Sequence, residues 1–233
     1  MIAAALRVFA EKGYRRAQMA DVARAMRVSP GTLYGYVTGK EALFHLVVDR
    51  AFTDDAGSSV PLLPIPTPPP GATLARLRER LAADIAIPAL DAALRRARAG
   101  DPGAELAAVV AELYDRIARA WPGIVVLERS ALEWPELAHV FYGEARGHLL
   151  QRLERYLTSR MKAGRLRSVP SGAAAARFVV ETVAWFAMHR HRDLGAAAID
   201  DATARETALA LIVNAFAPGH TAAPPTGKEH HRR

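Results

Sequence analysis

The sequence predicts an all-α protein: an N-terminal three-helix domain holding a helix-turn-helix, followed by a larger helical domain. Three observations carry this expectation. Apolar residues recur at three- and four-residue spacing along almost the whole chain, the period of a helix with one buried face. Ala, Leu, Arg and Glu dominate, and strand-like alternation is nearly absent. Ser, Asp, Pro and Gly fall where such helices should start and stop. At 233 residues, 51% hydrophobic and 24% charged, the chain is long enough for one large or two small domains with a real core.

Ile2, Leu6 and Phe9 share one face of a first helix, which Gly13-Tyr14 should close as a glycine cap. Val22, Met26, Val28 and Leu33 are apolar where two short crossed helices must meet, and Ala23 is small where they pass closely. Ser29 is placed to cap the second of these helices, with Pro30 at its first position, where no amide donor is needed. Its first turn is then exposed, as a major-groove reader requires. The plain alternative is an ordinary αα-hairpin. Thr38 and Glu41 read as a capping box opening a helix through Leu43, Leu46 and Val47.

Residues 57–71 are too rich in proline for a helix or a central strand. They read as a stiff linker between a DNA-binding domain at 1–50 and a helical domain at 72–217; a proline-recognition ligand is the alternative. Beyond them a helix over 74–98 should be broken at Pro88 and closed by Gly100. Helices over 103–120 and 124–133 should flank Trp121-Pro122-Gly123. Pro135 opens a long helix ending at Gly164. Ser171 should cap a helix reaching to about Asp193. Asp200 or Asp201 should cap the last, which Pro218 closes. The polar tail 219–233 is expected to be disordered.

Lys and Arg exceed Asp and Glu by 31 to 24, a net charge of +7. Residues 1–50 hold eight basic and four acidic residues, so the excess lies where the helix-turn-helix lies. That favours a polyanionic partner, although genomic base bias can also raise the arginine content. The absence of cysteine excludes disulfides, thiolate catalysis and cysteine-ligated zinc. No segment resembles a signal peptide and no run approaches the ~20 apolar residues of a membrane span, so a cytoplasmic protein without membrane contact is expected. No phosphate loop, metal-ligand helix or dinucleotide fingerprint is present, so no cofactor and no catalysis are expected. Ser130, Glu133 and His139 can be imagined as a catalytic set, but their spacing matches no motif. His189 and His191 stand two apart, on different sides of a helix, which argues against a metal site.

Residues 2–47 resemble the N-terminal domain of the tetracycline-repressor-like (TetR) transcriptional regulators. The resemblance rests on Phe9, Gly13-Tyr14, Val22-Ala23, Val28-Ser29, Gly31-Thr32-Leu33-Tyr34, Lys40-Glu41 and Leu43-Phe44. Residues 129–157 are also similar to that family. It implies an all-helical, homodimeric repressor whose C-terminal domain binds a small effector. Tyr34, Tyr36 and Lys40 match family positions that hold the DNA backbone, with Tyr36 sometimes near bases; core packing is the alternative for Tyr36. By their own chemistry, Gly31 lets the helix N-terminus approach DNA closely, and Thr32 can offer a methyl or a hydroxyl to a base. With Arg27, Ser29 and Pro30 these form the candidate DNA-binding set. The reading helix lacks Arg, Asn and Gln, so thymine methyls and DNA shape must carry much of the specificity.

Three departures from the family stand out. Arg27 occupies a turn position where glycine is usual; if the turn is left-handed, a side chain there costs about 1–2 kcal/mol, and a phosphate contact by Arg27 would offset it. Ala17 and Gln18 replace threonines, which weakens the cap of the second helix. The chain begins inside the first helix without the usual preceding basic residues, which suggests either a longer native protein or the loss of minor contacts.

Residues 178–188 are apolar around almost the whole helix, so both sides should be buried. A symmetric partner supplies the second surface most economically, and the family pairs its last long helices into a four-helix bundle. The candidate dimer residues are Val179, Val180, Val183, Ala184 and Ala187, with Leu149, Leu153 and Tyr156; a monomeric core is the alternative. Tyr114, Ile117 and Trp121 on one helix face, and Glu181, Trp185 and His189 on another, are candidates for an effector pocket or for plain core. The expected function is a dimeric repressor on a palindromic operator, released by a small molecule. The alternatives are a constitutive DNA-binding protein and, remotely, a helical enzyme.

Overall fold

The structure, a computed structural model, describes residues 1–52, 62–96, 100–196 and 198–218. Among these residues eleven α-helices form the framework: α1 (Ile2–Arg16), α2 (Met19–Met26), α3 (Pro30–Tyr34), α4 (Lys40–Ala51), α5 (Ala72–Asp84), α6 (Pro88–Arg95), α7 (Pro102–Ala131), α8 (Pro135–Ala138), α9 (Gly147–Lys162), α10 (Gly172–Ala187) and α11 (Asp201–Phe216). A π-helical segment, His139–Arg146, joins α8 to α9 without a break. Among the described residues no helix is long and apolar enough to cross a membrane.

Many boundaries follow the punctuation in the sequence. Ser29 Oγ accepts from Thr32 N–H (3.1 Å), Ser171 Oγ from Ala174 N–H (3.2 Å), and Asp200 Oδ1 from Thr203 N–H (2.8 Å). Pro88 separates α5 from α6 and opens the latter. Gly13, at φ +74°, interrupts α1, and one further turn carries the chain to Arg16.

Other boundaries depart from expectation. α7 runs unbroken for 30 residues through Pro122. The proline removes one amide donor, a penalty of ~3 kcal/mol in an isolated helix. Here α7 is flanked by α1, α4, α10 and α11, and that packing outweighs the lost bond. Gly123 explains the local sequence: a Cβ there would stand 2.7 Å from Ala51 Cβ, so the glycine admits the end of α4 against α7. α10 stops at Ala187 and gives way to short 3-10 turns rather than continuing towards Asp193. The Thr38–Glu41 capping box does not form. Gly39 is the N-cap of α4, while Thr38 Oγ1 pairs with Thr67 Oγ1 (3.1 Å).

The core does not divide at the Pro-rich segment. One apolar cluster contains Val8, Phe9, Leu33, Leu43 and Phe44 together with Leu77, Leu81, Leu127, Leu137 and Phe141. At its centre Phe9, Tyr14, Phe44 and Trp134 stack with ring centroids 4.7–6.3 Å apart, joining the first helices to α8. Arg129 Nε donates to Glu11 O (3.1 Å), and a Cβ at Gly13 would lie 3.0 Å from Arg129 O, so α1 is seated directly on α7. A second cluster lies between α6, α7, α9, α10 and α11. At its edge the buried Arg160 is held by Glu105 (2.7 Å) and by Ala93 O (2.7 Å).

The Pro-rich segment is not a free spacer either. Its residues 57–61 lie outside the described residues; from Leu62 onward it returns to the first helices. Ile65 N–H donates to Tyr36 O (2.8 Å) and Ile65 O accepts from Thr38 N–H (2.9 Å), an isolated parallel bridge just behind α3. The polar tail from Gly219 also falls outside the described residues.

Candidate functional site

The helix pair α2–α3 is built from local hydrogen bonds. Gln18 N–H donates to Asp21 Oδ2 (3.0 Å), so a capping box between Gln18 and Asp21 closes the helix start that the replaced threonines would otherwise cap. The Lys12 ammonium, 2.7 Å from Asp21, together with that N–H, holds the carboxyl below its usual range. At the turn, Arg27 adopts φ 59°, ψ 40°, the left-handed region. Val28 N–H reaches Ala23 O and Arg27 N–H reaches Arg24 O, each at 3.0 Å, which is a Schellman closure. The Arg27 side chain is exposed and makes no hydrogen bond or ion pair among the described residues.

This geometry buries Val22, Ala23, Leu33 and Val37 and turns the rest of α3 outward. Ser29, Pro30, Gly31 and Thr32 are exposed, as are Tyr34 (48%) and Tyr36 (40%), so Tyr36 is not a core residue. A Cβ at Gly31 would meet nothing nearer than Ser29 Oγ at 3.7 Å. The fold therefore accepts a side chain at 31, and any requirement for glycine comes from outside the protein. The Thr32 hydroxyl lies 2.9 Å from Ser29 Oγ, which fixes its direction. Lys40 is committed differently from the other candidates. Its ammonium donates to Arg15 O and Ala17 O (both 3.0 Å) and sits 4.8 Å from the Tyr14 ring centre, and burial lowers its pKa. Two of its three protons tie α4 to the α1–α2 turn, leaving one for a phosphate.

A cavity of about 130 Å³ opens between α5, α7, the π segment and α10. Its walls are aliphatic, including Leu81, Ile85, Leu113, Ile117, Val180 and Met188; its polar groups are Asp84, Arg116, Glu128, Arg146, Glu181 and His189. Of the six pocket candidates, Ile117, Glu181 and His189 line it. Tyr114 does not; it is buried, and its hydroxyl donates to Phe186 O (3.3 Å). Trp121 stacks on His191 (4.9 Å), and Trp185 lies on the outer face of α10 against Phe186. No motif or spacing marks Glu128, which sits among apolar residues on α7. Burial pushes its pKa up, and His189, Arg146 and Arg192 offset only part of that.

The dimer candidates are corrected outright. Leu149, Leu153, Tyr156, Val179, Val180, Val183, Ala184 and Ala187 are all buried inside the protomer, so they have no surface to offer a partner. The outward faces of α10 and α11 instead expose Phe178 (44%), Trp185 (36%) and Leu211 (53%). Ser130, Glu133 and His139 do not converge. Ser130 Oγ accepts from Tyr14 N–H (3.1 Å), Glu133 pairs with Arg16, and His139 lies beside Glu144.

Residues 1–47 match the family model described as bacterial regulatory proteins, tetR family. Residues 125–217 match the model of the AefR-like transcriptional repressor C-terminal domain. The chain belongs to the TetR family of transcriptional regulators. The all-helical fold with its helix-turn-helix is the family's, and the members of this family are regulators rather than enzymes. Solved structures of transcriptional regulators share the fold. SCO3833 of Streptomyces coelicolor A3 is 21% identical, with a TM-score of 0.55 over 92% of this chain and 88% of that one. PfmR of Thermus thermophilus is 20% identical (TM-score 0.54; 91% and 96% covered). The ketosteroid regulator KstR2 of Mycobacterium tuberculosis is 15% identical (TM-score 0.55; 93% and 92% covered). Among curated proteins no relative matches.

Proposed function

We propose that this TetR-family chain is a homodimeric cytoplasmic repressor that binds a palindromic operator and is released by a small molecule in the α5–α7–α10 cavity. The observation that carries the reading is the exposed first turn of α3, rigidly capped by Ser29, with Gly31, Thr32 and Tyr34 outward. Arg27, Ser29, Pro30, Tyr36 and the remaining Lys40 proton surround it as backbone contacts, which position without specifying. The exposed Phe178, Trp185 and Leu211 are the surface on which a second copy would dock.

Release requires that the ligand favour a conformation in which the reading helices are misplaced. The connection is short. Asp49 of α4 is bound by Arg76 and Arg80 of α5, each at 2.6 Å, and α5 ends in the cavity wall at Leu81 and Asp84. Burial tends to raise the Asp49 pKa, but the two arginines prevail and hold the carboxylate charged. A shift of α5 is thereby transmitted to α4, which follows the reading helix.

Selection from a random DNA pool tests the reading. The wild type is expected to enrich a palindrome. Gly31→Ala and Thr32→Ala should bind that site about tenfold or more weakly, equivalent to ~1.4 kcal/mol, with unchanged Tm. Equal enrichment by all three proteins would overturn it.

A further inference from the structure

We propose that the cavity selects a compact apolar cation: a ring-sized hydrocarbon carrying one protonated amine, which pairs with Glu128. This deepens the effector reading and rests on the cavity being the effector site.

Size and wall chemistry set the hydrocarbon part. An apolar cavity of roughly 150 Å³ holds one benzene ring, and this one, at about 130 Å³, is of that order. Ile117, Ile124, Leu149 and Val180 offer nothing but dispersion and water exclusion.

Charge sets the rest. The guanidiniums in the wall are already committed. Arg116 donates twice to Glu112 (3.1 and 3.3 Å) and to the carbonyls of Ala83 and Asp84 (3.3 and 3.2 Å). Arg146 is bonded to Glu181, which Arg177 also approaches (3.4 Å). An anionic ligand would have to break one of these pairs or rely on the His189 ring alone. Glu128 is different: it lines the cavity and makes no hydrogen bond or ion pair among the described residues. A partly desolvated carboxylate without a donor is unfavourable, and a ligand that brings a donor with its own positive charge removes that penalty. A bare hydrocarbon leaves the penalty in place, and a hydroxyl relieves it less than an ammonium does.

The test uses four probes of one shape, benzylamine, benzyl alcohol, toluene and benzoate, titrated by calorimetry and thermal shift into the full chain and into Glu128→Gln. Benzylamine is expected to bind wild type at least about tenfold more tightly than the other three, and Glu128→Gln should abolish that preference while still taking up toluene. Ile117→Phe, which fills the cavity while keeping Glu128, should weaken toluene and benzylamine alike. Equal or tighter binding of benzoate, toluene or the alcohol would overturn the cation assignment and leave the effector site standing. An amine preference that survives Glu128→Gln would overturn it too. Failure of every probe to bind or to loosen the operator complex would overturn the cavity reading itself.

Discussion

Arg27 and Glu128 are residues whose local energetics oppose the fold and that also face a candidate site. Arg27 closes the α2 turn at φ 59°, where glycine is more comfortable by about 1–2 kcal/mol, and its guanidinium has no partner among the described residues. Arg27→Gly should raise Tm slightly, weaken operator binding at low salt, and reduce the slope of log K against log salt by about one. Unchanged affinity across the salt series would show that Arg27 reaches no phosphate. At Glu128 the sign of the pH effect is fixed by burial. Its folded pKa is raised above the ordinary 4.5, so it adds stability below that pH and loses it as pH rises through the folded value. Glu128→Gln should match wild-type Tm near pH 4 and exceed it at pH 7 to 8; melting curves at several pH values read this directly. The carboxylate was invisible in the sequence because an acid on a helix is usually solvated, and only the walls supplied by α5, the π segment and α10 desolvate it.

At the scale of elements, the Pro-rich strap and α7 depart most from a reading of local propensity. The sequence correctly denies the strap a helix, but its docking on Tyr36 and Thr38 depends on a backbone edge that exists only after α3 and α4 have folded. Ile65→Pro deletes the N–H that reaches Tyr36 O, a bond of about 1 kcal/mol. Faster amide exchange at Thr38 and a several-fold loss of operator affinity are expected, with benzylamine binding unchanged and Ile65→Val behaving as wild type. Normal operator binding by the proline variant would confine the strap to packing. In α7 the Trp-Pro-Gly sequence signals a break, yet burial from both ends keeps the helix intact, and the glycine serves close contact with Ala51 instead. The caps at Ser29, Ser171 and Asp200 were legible because a cap is satisfied within three residues of chain.

In the whole molecule, the exposed faces of α10 and α11 are what remains after the cores are filled. Replacing Phe178 and Leu211 with Asp should convert a dimer to a monomer in sedimentation, leave the helical content intact, and reduce affinity for the full palindrome far more than for a half-site. A dimer that survives both changes would place the interface elsewhere. The valines of α10 were natural candidates because the helix is apolar all round, and periodicity then cannot say which side faces the chain's own core.

The sequence by itself determined the all-helical architecture, the capped reading helix and the family, because each is set by contacts only a few residues apart or by a fixed motif. Only the tertiary structure decided which face of α10 is free, that the N-terminal helices share a core with α7 and α8, and that Glu128 ends without a partner among the described residues in an apolar cavity. Those properties depend on what distant segments leave exposed or cover, and no local spacing of residues encodes that.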